Sequence, residues 1–307
     1  MNWLKGILVS NIIGVGIIAA VKILFEEGLN EQSSGVLIFS IFFIVPILMG
    51  SIAGIFWAHE EKKWVRVLLH SFYATVITCV ACAFFIGEGY ICLLIVYPVI
   101  YLLFLAGAYI VIAIKSNSNK NTAQKLNVSF VGILIIIMLG DIFSKHEFEK
   151  MVSDEIIINA TPEKIWPNVV AFDPIKEKPK YWLFKIGMPY PYQTTVTESK
   201  PGAGRKCIFS NGYTFDEVMS EFEPNKKLTF DITNQPKDPE IMGHFSLSKG
   251  QFILEDLGNG KTKLIGNSWY KLYVFPAWYF NSWSEKIVRE VHVRVMENIK
   301  ELSEKKD

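Results

Sequence analysis

Five apolar runs, each close to the length of a membrane crossing, constrain the first half of this chain more than anything else. They are roughly Leu4–Phe25, Gly35–Trp57, Val65–Ile86, Tyr90–Ile114 and Leu126–Phe143. A bilayer core takes about 20 apolar residues of helix, because every backbone polar group must be satisfied inside the segment. Residues 1–144 carry only 8 of the 31 Lys+Arg and 7 of the 30 Asp+Glu, which leaves 23 of each for the rest. Half the residues are hydrophobic and the mean hydropathy is +0.27, more apolar than an ordinary soluble domain. The expected organisation is a transmembrane helical region at 1–144, a charged connector at 145–153 and a soluble domain at 154–305. The fold class expected is an α-helical membrane bundle of about five spans followed by an α+β domain.

The short loops orient the spans. Lys5 precedes the first, Lys62, Lys63 and Arg66 follow the second, and Lys115, Lys120 and Lys125 follow the fourth. The alternate loops carry Glu26, Glu27, Glu31 and Glu88. Positive loops stay inside, so the amino terminus is expected in the cytoplasm and the soluble domain outside it. Lys22 sits near a span end, where it can snorkel or pair with Glu26. Gly50-x-x-x-Gly54 is a close-packing pattern between helices. No span shows paired charges, a metal cluster or a proton relay, and His70 stands alone. The spans read as an anchor rather than a transporter. Cys79, Cys82 and Cys92 lie in apolar runs and read as small packing residues. The balanced charge of the soluble half argues against a nucleic-acid partner.

The second half changes period. Asp154–Ala160 reads as a strand, then Thr161-Pro162-Glu163 opens a helix with threonine as the cap. Strands follow at about Gln193–Ser199, Arg205–Ser210, Tyr213–Phe222, Lys227–Thr233, Gly243–Leu257 and Lys261–Tyr273. Turn residues separate them, with Asn211-Gly212 the clearest hairpin signal. Asp173–Tyr192 shows no regular pattern. In the last strand Leu264, Gly266, Ser268, Tyr270 and Leu272 share one face. Phe275-Pro276 ends it and opens a long helix. There Ile287, Val288, Val291, Val295, Ile299 and Leu302 form an apolar stripe. A helix of about 25 residues spans roughly 38 Å and needs a sheet beneath that stripe. A curved antiparallel sheet gripping a long carboxy-terminal helix answers that need.

The run from Glu155 to Trp166, Glu-Ile-Ile-Ile-Asn-Ala-Thr-Pro-Glu-Lys-Ile-Trp, resembles the opening of the polyketide cyclase/dehydrase group. That group belongs to the START-like, or SRPBCC, superfamily with the helix-grip fold. Gly202–Gly212, Trp269-Tyr270, Pro276–Tyr279 and Val291–Val295 resemble a membrane-linked bacterial branch of it. The resemblance covers about residues 152–305. It implies a bacterial cytoplasmic membrane protein with a deep, mostly apolar cavity between sheet and helix. It implies a hydrophobic small molecule or lipid as ligand, and no particular reaction.

The expected cavity residues are Cys207, Phe209, Tyr213, Phe215, Phe230, Tyr270, Val288, Val291, His292 and Val295. His292 is either an acid/base group or a satisfied structural histidine. Cys207, with Arg205 on the same face, is either a nucleophile or an inert thiol. Asp216 and Glu217 are strand neighbours and point to opposite faces. His244 and His292 make no metal site on spacing, and no cofactor is expected. Phe275, Trp278, Tyr279, Phe280 and Trp283 read as residues facing the bilayer or forming the pocket mouth. The reading is a membrane-anchored protein whose START-like domain binds a hydrophobic molecule or lipid. A cyclase-like enzyme and a membrane assembly protein with a protein partner are its rivals.

Overall fold

A computed structural model describes residues 2–23, 39–58, 64–117, 120–141, 143, 147–236, 238–240 and 244–305. The chain divides into two compact units. One comprises Met1–Glu147, Pro239–His244 and Tyr273–Tyr279. The other comprises Phe148–Asp238, Phe245–Leu272 and Phe280–Asp307.

The first unit is helical. Its elements are α1 (Asn2–Val21), α2 (Val45–Trp57, led by the π turn Ser40–Ile44), α3 (Trp64–Ala81, continued by the π turn Cys82–Ile86), α4 (Tyr90–Asn117) and α5 (Lys120–Asp141). Among the described residues, five helical stretches are long and apolar enough to cross a membrane, the last being Gln124–Asp141. Ile12, Phe84, Phe85 and Ile136 stand exposed on the unit. Gly50 and Gly54 lie where α2 meets α4. A Cβ on Gly50 would stand 1.8 Å from the Phe104 carbonyl oxygen, and one on Gly54 2.8 Å from that of Ala108. The glycine pattern therefore serves packing within one chain. Buried polar groups bond between helices: Thr78 Oγ1 donates to Asn11 Oδ1 at 2.8 Å, and Ser40 N to Asp141 Oδ2 at 2.8 Å. Lys22 donates to the Ile86 carbonyl at 2.6 Å and stands 3.7 Å from Glu88. Its expected partner Glu26, and the loop charges Glu27, Glu31, Lys62 and Lys63, lie outside the described residues.

The second unit is a seven-stranded antiparallel sheet curled around a long helix, in the manner of a helix-grip α+β fold. The strands are β1 (Phe148–Ile158), β2 (Pro191–Val196), β3 (Gly204–Phe209), β4 (Thr214–Glu223), β5 (Lys227–Asn234), β6 (Phe245–Gly258) and β7 (Lys261–Leu272), in the order β1-β7-β6-β5-β4-β3-β2. The helices are α6 (Pro162–Val170), α7 (Trp182–Lys185) and α8 (Ala277–Glu304). Two expectations need correction. β1 starts at Phe148, opposite Leu272 of β7, so residues up to Ser153 are strand and not connector. Their charges fooled the reading because Lys150, aimed at α8, is neutralised there by Glu285 at 2.5 Å. Thr161 makes no side-chain cap; its carbonyl instead accepts from Lys164 N and Ile165 N.

The core lies between sheet, α6 and α8. Ile158, Ile165, Met219, Leu228, Leu264 and Ile299 are buried there. In β7 the alternation places Thr262, Leu264, Gly266, Tyr270 and Leu272 inside, as the period-two pattern requires.

Candidate functional site

A cavity of about 80 Å³ lies inside the second unit, between the concave sheet and α8. The strands supply Cys207, Phe209, Phe215 and Phe230 to its wall, and α8 supplies Val291, His292 and Val295. Those seven are among the ten residues that the sequence points to. The other three lie elsewhere. Tyr213 is 39% exposed. Val288 is buried away from the cavity. Tyr270 is fully buried, stacks on Phe245 at 5.3 Å and donates to Asn281 Oδ1 at 2.8 Å. The cavity is smaller than the expected deep one, and Phe209, Phe215, Phe230 and Phe252 stand in its wall. Drug-sized ligands occupy roughly 300–1,000 Å³.

Two polar groups of residues face this apolar space. The first is a relay of three side chains. His292 Nδ1 lies 2.8 Å from Asp154 Oδ2 and its Nε2 lies 2.8 Å from Ser268 Oγ. The register explains the meeting. Val152 of β1 pairs with Ser268 of β7, and Asp154 lies two residues along on the same face. His292 then drops from α8 into the diagonal between them. Arg289 also donates to Asp154. Burial lowers the His292 pKa, the Asp154 hydrogen bond and charge pull it back up, and Arg289 adds to the lowering. A carboxylate only accepts, so Nδ1 carries the proton and Nε2 accepts from the Ser268 hydroxyl.

The second is the ion pair of Arg205 and Glu217, cross-strand partners on β3 and β4. Both are almost completely buried. Arg205 Nε donates to the Val170 carbonyl at 3.2 Å, and its guanidinium lies 4.4 Å from the centre of the Phe230 ring. Burial pushes the Glu217 carboxyl up against the opposing pull of Arg205. Asp216 faces the other way, 3.6 Å from Lys206. Burial also pushes the Cys207 thiol up to about 12. Cys207 is therefore a wall residue and a poor nucleophile, despite Arg205.

No family model matches this chain, and no curated protein does. Solved structures resemble its second half. A protein from Mesorhizobium loti is 18% identical, with 52% of this chain and 99% of that one covered and a TM-score of 0.35. Truncated norcoclaurine synthase from Thalictrum flavum is 9% identical, with 53% and 99% covered and a TM-score of 0.37. An uncharacterized protein from Bacillus thuringiensis is 13% identical, with 50% and 97% covered and a TM-score of 0.35. Likeness at this level assigns no ligand and no activity.

The five aromatic residues of the turn do not line the cavity. Phe275 packs edge-on to Phe39, with centroids 4.8 Å apart, inside the helical unit. Tyr279 donates to the Ile95 carbonyl at 2.7 Å in the same unit. Trp278 is 76% exposed and Phe280 is buried, while Trp283 is half-buried. Sequence reasoning missed Asp154, Ser268 and Glu217 as cavity-side groups. The signal for Asp154 was present: a carboxylate in the inward register of a strand, between Val152 and Ile156.

Proposed function

We propose that this is a membrane-anchored binding protein whose helix-grip unit holds a small, mainly apolar molecule bearing one hydrogen-bonding group. The observation that carries the reading is a cavity with aromatic walls lined also by Ser268 and His292, which Asp154 backs from outside the lining, and by the Arg205–Glu217 pair. Apolar walls supply affinity by desolvation, and a few fixed polar groups supply orientation. The Ser268 oxygen, whose proton is given to His292, is placed to accept from a ligand's hydroxyl or N–H. A lipid chain needs more room than about 80 Å³ and would have to swing the phenylalanine rings aside. The five apolar helices and their exposed apolar side chains support the anchor, which would sit in a bacterial cytoplasmic membrane. The basic residues before the first span and after the second and fourth favour a cytoplasmic amino terminus and an extracytoplasmic grip unit.

The test is solvent extraction and mass spectrometry of the full chain purified in detergent. Wild type should release a stoichiometric small molecule, and Val291→Phe, which fills the cavity, should release none while melting normally. A wild-type protein that releases nothing, or equal release from both, overturns the reading.

One observation favours a second reading, a serine hydrolase for small esters. The relay has the order and distances of a nucleophile, base and orienting acid. Ser268 Oγ would attack the ester carbonyl as its proton passes to His292 Nε2. That proton would leave with the alcohol, and water would then release the acyl group. Fluorophosphonate labelling at Ser268, absent in Ser268→Ala, would establish it; an unlabelled wild type would dismiss it.

A further inference from the structure

We infer that the helical unit carries a binding site for a zinc-like divalent cation, built from Glu88, Cys92 and His244. One ligand atom of each lies within 4.8 Å of the others. Glu88 Oε2 and His244 Nε2 are 3.2 Å apart. Zinc bonds of about 2.0–2.3 Å put tetrahedral ligand atoms roughly 3.3–3.8 Å from each other, so a modest inward shift of side chains completes the set. Carboxylate, thiolate and imidazole suit a borderline divalent cation better than magnesium or calcium, which take oxygen. Three protein ligands leave a fourth position for water or another small ligand.

The backbone holds the three in place. Gly87, at φ +77°, ends the π turn after α3, and Glu88 follows it. Gly89 N donates to the Pro239 carbonyl at 3.1 Å. A Cβ on Gly89 would meet the Glu240 Cα at 2.8 Å, so only glycine lets the two segments close. The Glu240 carboxylate then accepts from Cys92 N at 2.8 Å and Ile91 N at 3.2 Å, which caps the start of α4. Those bonds fix Cys92 in the first turn of α4 and hold Pro239 and Glu240 beside it. The ring of Phe42 lies edge-on to His244, with centroids 5.7 Å apart.

The charges balance. Burial raises the Glu88 pKa, but the His244 hydrogen bond and charge, with Lys22, hold it below the ordinary value. One carboxylate, one thiolate and neutral imidazole cancel a charge of +2, and the thiol proton departs to solvent on binding. The competing arrangement is Glu88 as a plain counter-ion for Lys22 and His244. In that arrangement Cys92 has no part, and this separates the two.

The experiment loads the full chain in detergent with Co²⁺ alone and follows absorption. Wild type should show a thiolate-to-cobalt charge-transfer band. Cys92→Ser should abolish it, Cys79→Ser should keep it, and His244→Ala and Glu88→Gln should each weaken binding by about ten-fold or more. Metal-free melting of each variant reports whether it folds. A wild type without the band overturns the proposal. So does a folded Cys92→Ser that keeps the band, or affinity unchanged in folded His244→Ala and Glu88→Gln.

Discussion

Gly50 and Gly250 show how differently the two units are packed. A Cβ on Gly50 meets backbone, the Phe104 carbonyl oxygen at 1.8 Å. A Cβ on Gly250 meets a side chain, the Phe230 ring at 2.3 Å. In the helical unit, backbones approach each other directly, because small residues at the crossing let two helices close to backbone contact. In the grip unit, side chains fill the space between sheet and helix, and one ring can turn into the neighbouring cavity. The polar interiors differ in the same way. The helical unit satisfies its buried groups mainly with neutral partners, within a helix as for Asn11 to the Ile7 carbonyl at 2.9 Å and between helices as for Thr78 to Asn11 at 2.8 Å. The grip unit satisfies its own across strands and helix, with full charges.

Four single substitutions would break or sharpen that contrast. The largest effect is expected from Gly50→Ala, which must part α2 from α4 and should cost more than about 3 kcal/mol. Gly250→Ala should cost about 1–3 kcal/mol, since Phe230 can rotate. Equal melting losses in detergent would mean that the two units pack alike.

Next comes Arg205→Met, which strands Glu217 in a nearly dry interior. The expected loss is about 3–5 kcal/mol by chemical denaturation. The double variant Arg205→Met with Glu217→Met should recover most of it, because the cost lies in the unpaired charge. No recovery would show that the pair does more than neutralise itself.

The smallest effect belongs to His292→Gln, about 1–3 kcal/mol, with a pH signature. The folded pKa of His292 lies below its ordinary 6.5. Above that value the imidazole is neutral in both states. Below it the unfolded chain takes up a proton that the folded chain refuses, so stability falls as pH drops from 6.5 toward the folded pKa. His292→Gln should flatten that part of the profile. An unchanged slope would show that other groups set it.

Much of the fold was legible in the residues, because it is written in periods. Runs of about 20 apolar residues mark helices, and alternation with Asn211-Gly212 and Gly258-Asn259-Gly260 marks β strands and their turns. The stripe from Val288 to Ile299 marks the gripped helix. Seven cavity residues followed, since inward register and helix face are local properties. The start of β1 was missed because Glu149 and Lys150 look like a linker until Glu285 and β7 are set beside them.

What the sequence by itself determined is therefore what repeats along the chain: helix, strand, turn and the face each presents. Only the tertiary structure decided which polar residues meet. Asp154, Ser268 and His292 come from β1, β7 and α8. Arg205 finds Glu217 only once β3 and β4 are in register. Glu88 and Cys92 find His244 across more than 150 positions of chain. No periodicity encodes such meetings, because they depend on strand register and loop closure. Cavity size was likewise decided by rotamers: the rings of Phe209, Phe215, Phe230 and Phe252 take up space that backbone topology alone would leave open.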